Sequence, residues 1–116
     1  MNPQTLAQME TEPVRANSPA VTEPELSDYQ QAVPEWKVVD RNGIPALERT
    51  YRFKNFEQAL AFTNRVGALA EQAGHHPAIL TEWGRVTVTW WTHAIRSLHR
   101  NDFILAARSD RAFGEG

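Results

Sequence analysis

Between Asn55 and Gly74 the apolar residues recur with helical spacing. Phe56, Ala59, Leu60, Thr63, Val66, Gly67 and Ala70 share one stripe, and Phe62 and Leu69 widen it. Asn55 can cap this helix, Gln58 holds the capping-box position, and Gly74 supplies a C-terminal stop. On either side the period changes to two. Leu47, Arg49, Tyr51 and Phe53 alternate with Glu48, Thr50 and Arg52, while Val86, Val88 and Trp90 oppose Arg85, Thr87, Thr89, Trp91 and His93. Trp36 to Val39 reads as another strand, joined to the Leu47–Phe53 strand through Asp40-Arg41-Asn42-Gly43, whose Asn and Gly tolerate positive φ. Ala78 to Leu80 and a turn near Glu82 to Gly84 complete a second hairpin. Ser27 is the expected cap of a short helix ending near Ala32, and a last helix runs from about Arg100 to Ala112 around Phe103, Ile104, Ala106 and Ala107. The order α-β-β-α-β-β-α predicts an α+β fold: a four-stranded antiparallel sheet with helices packed on one face.

Residues 1–22 break this pattern. They are rich in Pro, Glu, Thr, Gln and Ala and poor in large apolar groups, which predicts a flexible acidic arm ahead of one domain spanning residues 23–116. Charge divides the same way, with a sum of −5 over residues 1–35 and +3 over residues 36–116. A body so weakly basic does not favour nucleic acid, which calls for a clustered basic stripe, although Trp90 and Trp91 on a strand would suit base stacking. No apolar run is long enough to span a membrane, and no basic cluster followed by an apolar run opens the chain. Cysteine is absent, which excludes disulfides and thiolate nucleophiles and fits a cytoplasmic protein.

Chemistry concentrates late in the chain. All four histidines lie within residues 75–102, together with Asp102, and His75, His76 and His93 are the candidates among them. Histidine exchanges protons near neutral pH. Taken singly, each of these has an ordinary structural reading: a surface or hydrogen-bonded histidine, a carboxylate in the first turn of a helix, aromatic core residues in Trp83, Trp90 and Trp91. Their convergence on neighbouring element ends favours a site. Adjacent histidines in extended chain point to opposite faces, and neither a His-x-x-x-His nor a His-x-His spacing occurs, so no metal is expected.

The spacing also resembles that of a known family, the pterin-4a-carbinolamine dehydratases. Glu71, three spacers, His75-His76-Pro77, five spacers, Trp83, nine spacers, His93, eight spacers and Asp102 match its signature throughout. The resemblance extends over about residues 24–113. Two departures stand out: Ala78-Ile79 replaces the acid and aromatic residue common after His-His-Pro, and His99 replaces the Ser or Thr common before the last helix.

The resemblance implies a lyase that eliminates water from a 4a-hydroxytetrahydropterin, giving the quinonoid dihydropterin and recycling the cofactor of aromatic amino-acid hydroxylases. It implies His75, His76 and His93 as the catalytic set. Glu71, Pro77, Trp83 and Asp102 would bind or orient substrate, with Trp83 as a flat apolar wall and Asp102 holding a histidine tautomer. No cofactor would be needed, and a homodimer or homotetramer would be expected. The alternative it leaves open is a non-catalytic dimerisation or transcriptional cofactor that binds a regulatory protein.

Overall fold

A computed structural model describes residues 1–114. Strands β1 (Lys37–Arg41), β2 (Ile44–Arg52), β3 (Ala78–Glu82) and β4 (Arg85–Trp90) form one antiparallel sheet in the order β1-β2-β4-β3. Four helices accompany it: α1 (Pro3–Gln8), α2 (Glu23–Ala32), α3 (Phe56–Ala73) and α4 (Arg100–Gly114). The α+β class read from the pattern is the observed one, with α1 added at the front.

Local chemistry explains the turns. Asn42 and Gly43 adopt φ of 52° and 86° between the paired residues Arg41 and Ile44, the geometry of a tight two-residue hairpin. Gly84, at φ 77°, closes the β3–β4 hairpin. Asn55 caps α3 by accepting from Gln58 N at 2.8 Å, and Gly74 ends it in the left-handed region at φ 63°.

The core lies between the sheet and the helices. Val86, Val88 and Trp90 of β4 are fully buried, as are Leu47 and, nearly so, Tyr51 of β2. On the opposite parity Thr50, Arg52 and Arg85 are exposed, while Ala46 and Thr89 are buried. Against the core face sit Ala59, Phe62, Val66 and Ala70 of α3. The predicted α3 stripe is rotated from this, since Phe56 and Leu60 remain 45% and 44% exposed.

Beyond the layers, Asp110 joins α4 to the sheet. Its Oδ1 accepts from Trp36 Nε1 at 2.9 Å, from Arg49 Nη1 at 2.8 Å and from the Tyr51 hydroxyl. Burial and the neighbouring Asp110 charge hold the Tyr51 phenol far above its ordinary pKa, so it serves as a permanent donor.

Three expectations need correction. Thr22 rather than Ser27 caps α2, in a capping box with Glu25. β4 stops at Trp90, so His93 does not end a strand; it opens a 3-10 turn, His93–Ile95, closed by Thr92 N donating to Ser97 O at 3.0 Å. The third concerns the arm expected to be flexible. Phe103, Ile104, Leu105, Ala106 and Ala107 are all buried, and five consecutive residues go around a helix rather than along one stripe. The sheet side of α4 cannot bury them all. The arm covers part of the rest: α1 packs on α4, and Leu6 is fully buried in the core.

Candidate functional site

The C-terminal end of α3, the loop after β4 and the start of α4 meet at one place. Gly74 turns the chain sharply, and His75 N still donates to Ala70 O at 3.1 Å, which anchors the histidine beside the helix end. The His75 ring stacks at 27° on Trp90, with centroids 6.0 Å apart. Its Nε2 lies 2.7 Å from Asp102 Oδ1.

Asp102 has no solvent exposure, and both its oxygens are engaged. Oδ2 accepts from Thr92 Oγ1 at 2.7 Å and from His99 N at 2.9 Å. A buried carboxylate needs such donors, because an unpaired charge in a dry interior is very costly. As the acceptor, Asp102 selects the His75 tautomer with the proton on Nε2. Nδ1 has no hydrogen-bond partner among the described residues.

His99 completes the support. Its Nδ1 accepts from Asn101 N at 3.0 Å while Asp102 accepts from His99 N, a reciprocal cap at the start of α4. The imidazole thus performs the capping task that Ser or Thr would perform. Burial lowers its pKa below the ordinary value, and Nε2 lies 3.2 Å from Glu12 Oε1.

A cleft of about 270 Å³ opens beside this pair, close to the small end of ligand sites, roughly 300 Å³. His75, His76 and His93 all line it, together with Trp91 and Thr92. His76 is exposed and bonds Glu71 Oε1 at 2.8 Å, so Glu71 orients His76 from solvent. His93 leans on the Trp91 ring at 4.7 Å. Trp91 is itself held on the sheet by the Arg41 guanidinium, 4.5 Å from its ring centre.

The sequence-derived set therefore separates into two groups. His75, His76 and His93 share the cleft, Asp102 lies behind His75, and Glu71 touches His76. Pro77 leads into β3 and does not line the cleft. Trp83 is displaced: it sits 73% exposed at the tip of the β3–β4 hairpin, away from the histidines. The tryptophan that lines the cleft within this chain is Trp91, which the sequence put on the parity of His93 and otherwise read as an ordinary core or interface aromatic. Thr92 and His99 are further contributors; the sequence marked His99 only as a departure from the family pattern before the last helix, and Thr92 only by its place beside His93. Among the described residues no three His, Asp or Glu side chains come together as a metal site. A larger cleft of about 440 Å³, bordered by Arg52, Lys54, Arg65 and Phe113, contains neither histidine nor carboxylate.

A helix-backed antiparallel sheet with a histidine cleft of this kind defines a class of protein, and the comparisons name it. The profile of the family described as pterin 4 alpha carbinolamine dehydratase matches residues 19–112, and the chain belongs to that family. Among solved structures it is similar to a transcriptional coactivator/pterin dehydratase from Brucella melitensis. That match has 29% identity and a TM-score of 0.74, and covers 81% of this chain and 98% of the other. It is also similar to a pterin dehydratase-like protein identified as a RuBisCO assembly factor in the alpha-carboxysome. Here identity is 27% and the TM-score 0.59, with 69% of this chain and 90% of the other covered.

Proposed function

We propose that this protein dehydrates a 4a-hydroxytetrahydropterin. The observation that carries the reading is the Asp102–His75 pair beside a cleft that also holds His76 and His93. In the reaction the C4a–O bond breaks and the hydroxyl leaves as water after gaining a proton. N5 loses its proton, and its electron pair forms the C4a=N5 bond. Two proton transfers near neutral pH suit two imidazoles. His75, oriented by Asp102, is the acid/base at one position, His93 serves the other, and His76 with Glu71 positions the pterin ring. Trp91 takes the role of flat wall that the family resemblance had given to Trp83. The product pterin would return to an aromatic amino-acid hydroxylase through a reductase, in the cytoplasm. A homo-oligomer fits the exposed strand β3, where Leu80 is 57% exposed.

Stopped-flow absorbance of 4a-hydroxytetrahydropterin decay, with EDTA-treated protein, tests the reading. Acceleration by wild type that His75→Ala/His76→Ala loses is the expected result. No acceleration by folded wild-type protein overturns it.

A second reading is an interaction role without catalysis. Its support is that one similar structure is a transcriptional coactivator/pterin dehydratase and another a RuBisCO assembly factor, and that Val38, Phe56, Leu60 and Leu80 leave apolar surface exposed.

A further inference from the structure

The N-terminal segment lies outside the residues 19–112 that the family profile matches, yet it reaches the histidine cleft. Its path is held by side chains from one helix. Arg108 donates from Nε to Ala7 O at 3.0 Å and from Nη2 to Met9 O at 2.7 Å. Arg100 Nη2 donates to Glu10 O at 3.2 Å. Asn101, 2% exposed, grips one residue twice: Glu12 N donates to its Oδ1 at 3.1 Å, and its Nδ2 donates to Glu12 O at 2.7 Å. Glu12 then meets His99 Nε2.

These contacts go mainly to backbone, so they set where the chain runs rather than which side chains it carries. Two residues after the Asn101 grip comes Val14, half-buried, lining the cleft with His75, His76 and His93. The chain then turns, with Arg15 N and O bonded to Ser18, and returns to the fold where Val21 N donates to Leu98 O at 2.9 Å. Both ends of the crossing are tied, and the tie before it belongs to the residues that cap α4 behind Asp102.

We propose that residues 9–15 are a built-in wall of the cleft and that Val14 is its specificity-determining residue, limiting the bulk of the substituent a bound pterin can carry. This rests on the pterin reading above for the identity of the ligand; the wall itself does not. An apolar side chain at the rim accepts or rejects a substituent by volume, an effect of roughly 10–200-fold per methylene-sized change at most.

The test uses the full chain with Val14→Trp, Val14→Ala and Asn101→Ala. The first readout needs no substrate: the rates at which diethyl pyrocarbonate modifies His75, His76 and His93, resolved by mass spectrometry. Val14→Trp should slow modification of the cleft histidines several-fold. Asn101→Ala should speed it, together with faster tryptic cleavage after Arg15. The second readout is the ratio of kcat/KM for a biopterin-type substrate to that for a 6-methyl analogue. Val14→Ala should raise this ratio and Val14→Trp should lower it, by several-fold each. Wild-type modification rates in both Val14→Trp and Asn101→Ala, with unchanged circular dichroism, overturn the wall. Altered modification rates with an unchanged substrate ratio overturn the specificity role. Altered modification rates in a protein that dehydrates no pterin leave the wall standing and overturn only the pterin reading.

Discussion

His75 and Asp102 are separated by 27 residues and joined by a 2.7 Å contact between Nε2 and Oδ1. Three elements must be in register for that contact to exist: α3 must end at Gly74, β4 must place Trp90 under the ring, and α4 must begin at Arg100. The pair is thus a readout of the whole fold as well as a part of the site, with His75 on the cleft wall and Asp102 buried behind it.

Removing the acceptor should separate these two aspects. Asp102→Asn leaves Thr92 Oγ1, His99 N and His75 Nε2 competing for one carbonyl oxygen and adds a buried NH2 group. Urea unfolding should show a loss of about 1–3 kcal/mol for the imperfectly paired groups. Pterin dehydration should fall roughly 10²–10⁴-fold, the scale of one acid/base group. By contrast Glu71→Gln should change rate less than about 3-fold, because its bond to His76 is exposed. Equal rates for Asp102→Asn and wild type would remove the orienting role.

Asp110 makes a stability prediction independent of the cleft. Trp36 and Tyr51 are buried, and each spends its one polar hydrogen on Asp110. Asp110→Ala leaves both donors without a partner and Arg49 without its counter-ion. A loss of roughly 2–5 kcal/mol is expected in chemical denaturation. A loss below about 0.5 kcal/mol would show that water replaces the carboxylate fully.

Gly74→Ala isolates backbone strain. Nothing lies within 4 Å of a Cβ built there, so no clash contributes. The φ of 63° alone should cost about 1–2 kcal/mol. Because the turn aims His75, dehydration should slow along with a lowered Tm. Replacement by Asn, which tolerates this region better, should recover part of both. An Ala variant as stable as wild type would mean that the helix end has re-formed elsewhere.

His99 gives a pH dependence with a defined sign. Burial lowers its pKa in the folded protein below 6.5, although Glu12 and Asp102 pull the other way. Between the lowered value and 6.5 the unfolded chain binds more protons than the folded one, so stability rises with pH. The contribution is fully present above about pH 6.5 and is lost as pH falls below it. Unfolding free energies measured at about pH 5 and pH 7 should differ less in His99→Asn, which can still cap α4 without titrating. The same acid-side loss in the variant would assign it to other groups.

Much of this was written in local pattern. The period-two runs around Tyr51 and Val88, the Asn42-Gly43 turn and the Asn55-to-Gly74 helix depend on neighbours in sequence, and all are found. The site was legible as a set of spacings, because His75-His76-Pro77, His93 and Asp102 keep the family's intervals. Trp83 shows the limit of that legibility. A matching interval says which residue stands in a motif, not where a hairpin tip points, and here Trp91 takes the place beside the histidines.

What the sequence by itself determined is the α+β order, the hairpins, the helix ends and the family. Each follows from short-range backbone preference, periodic burial or fixed intervals. Tertiary structure decided the rest. It rotated the buried stripe of α3, moved the cap of α2 to Thr22, ended β4 before His93 and laid residues 3–14 across α4. The physical reason is that these outcomes depend on what covers each surface. Five consecutive apolar residues in α4 demand cover on more than one side, and only the folded chain shows that Leu6 and the arm provide part of it.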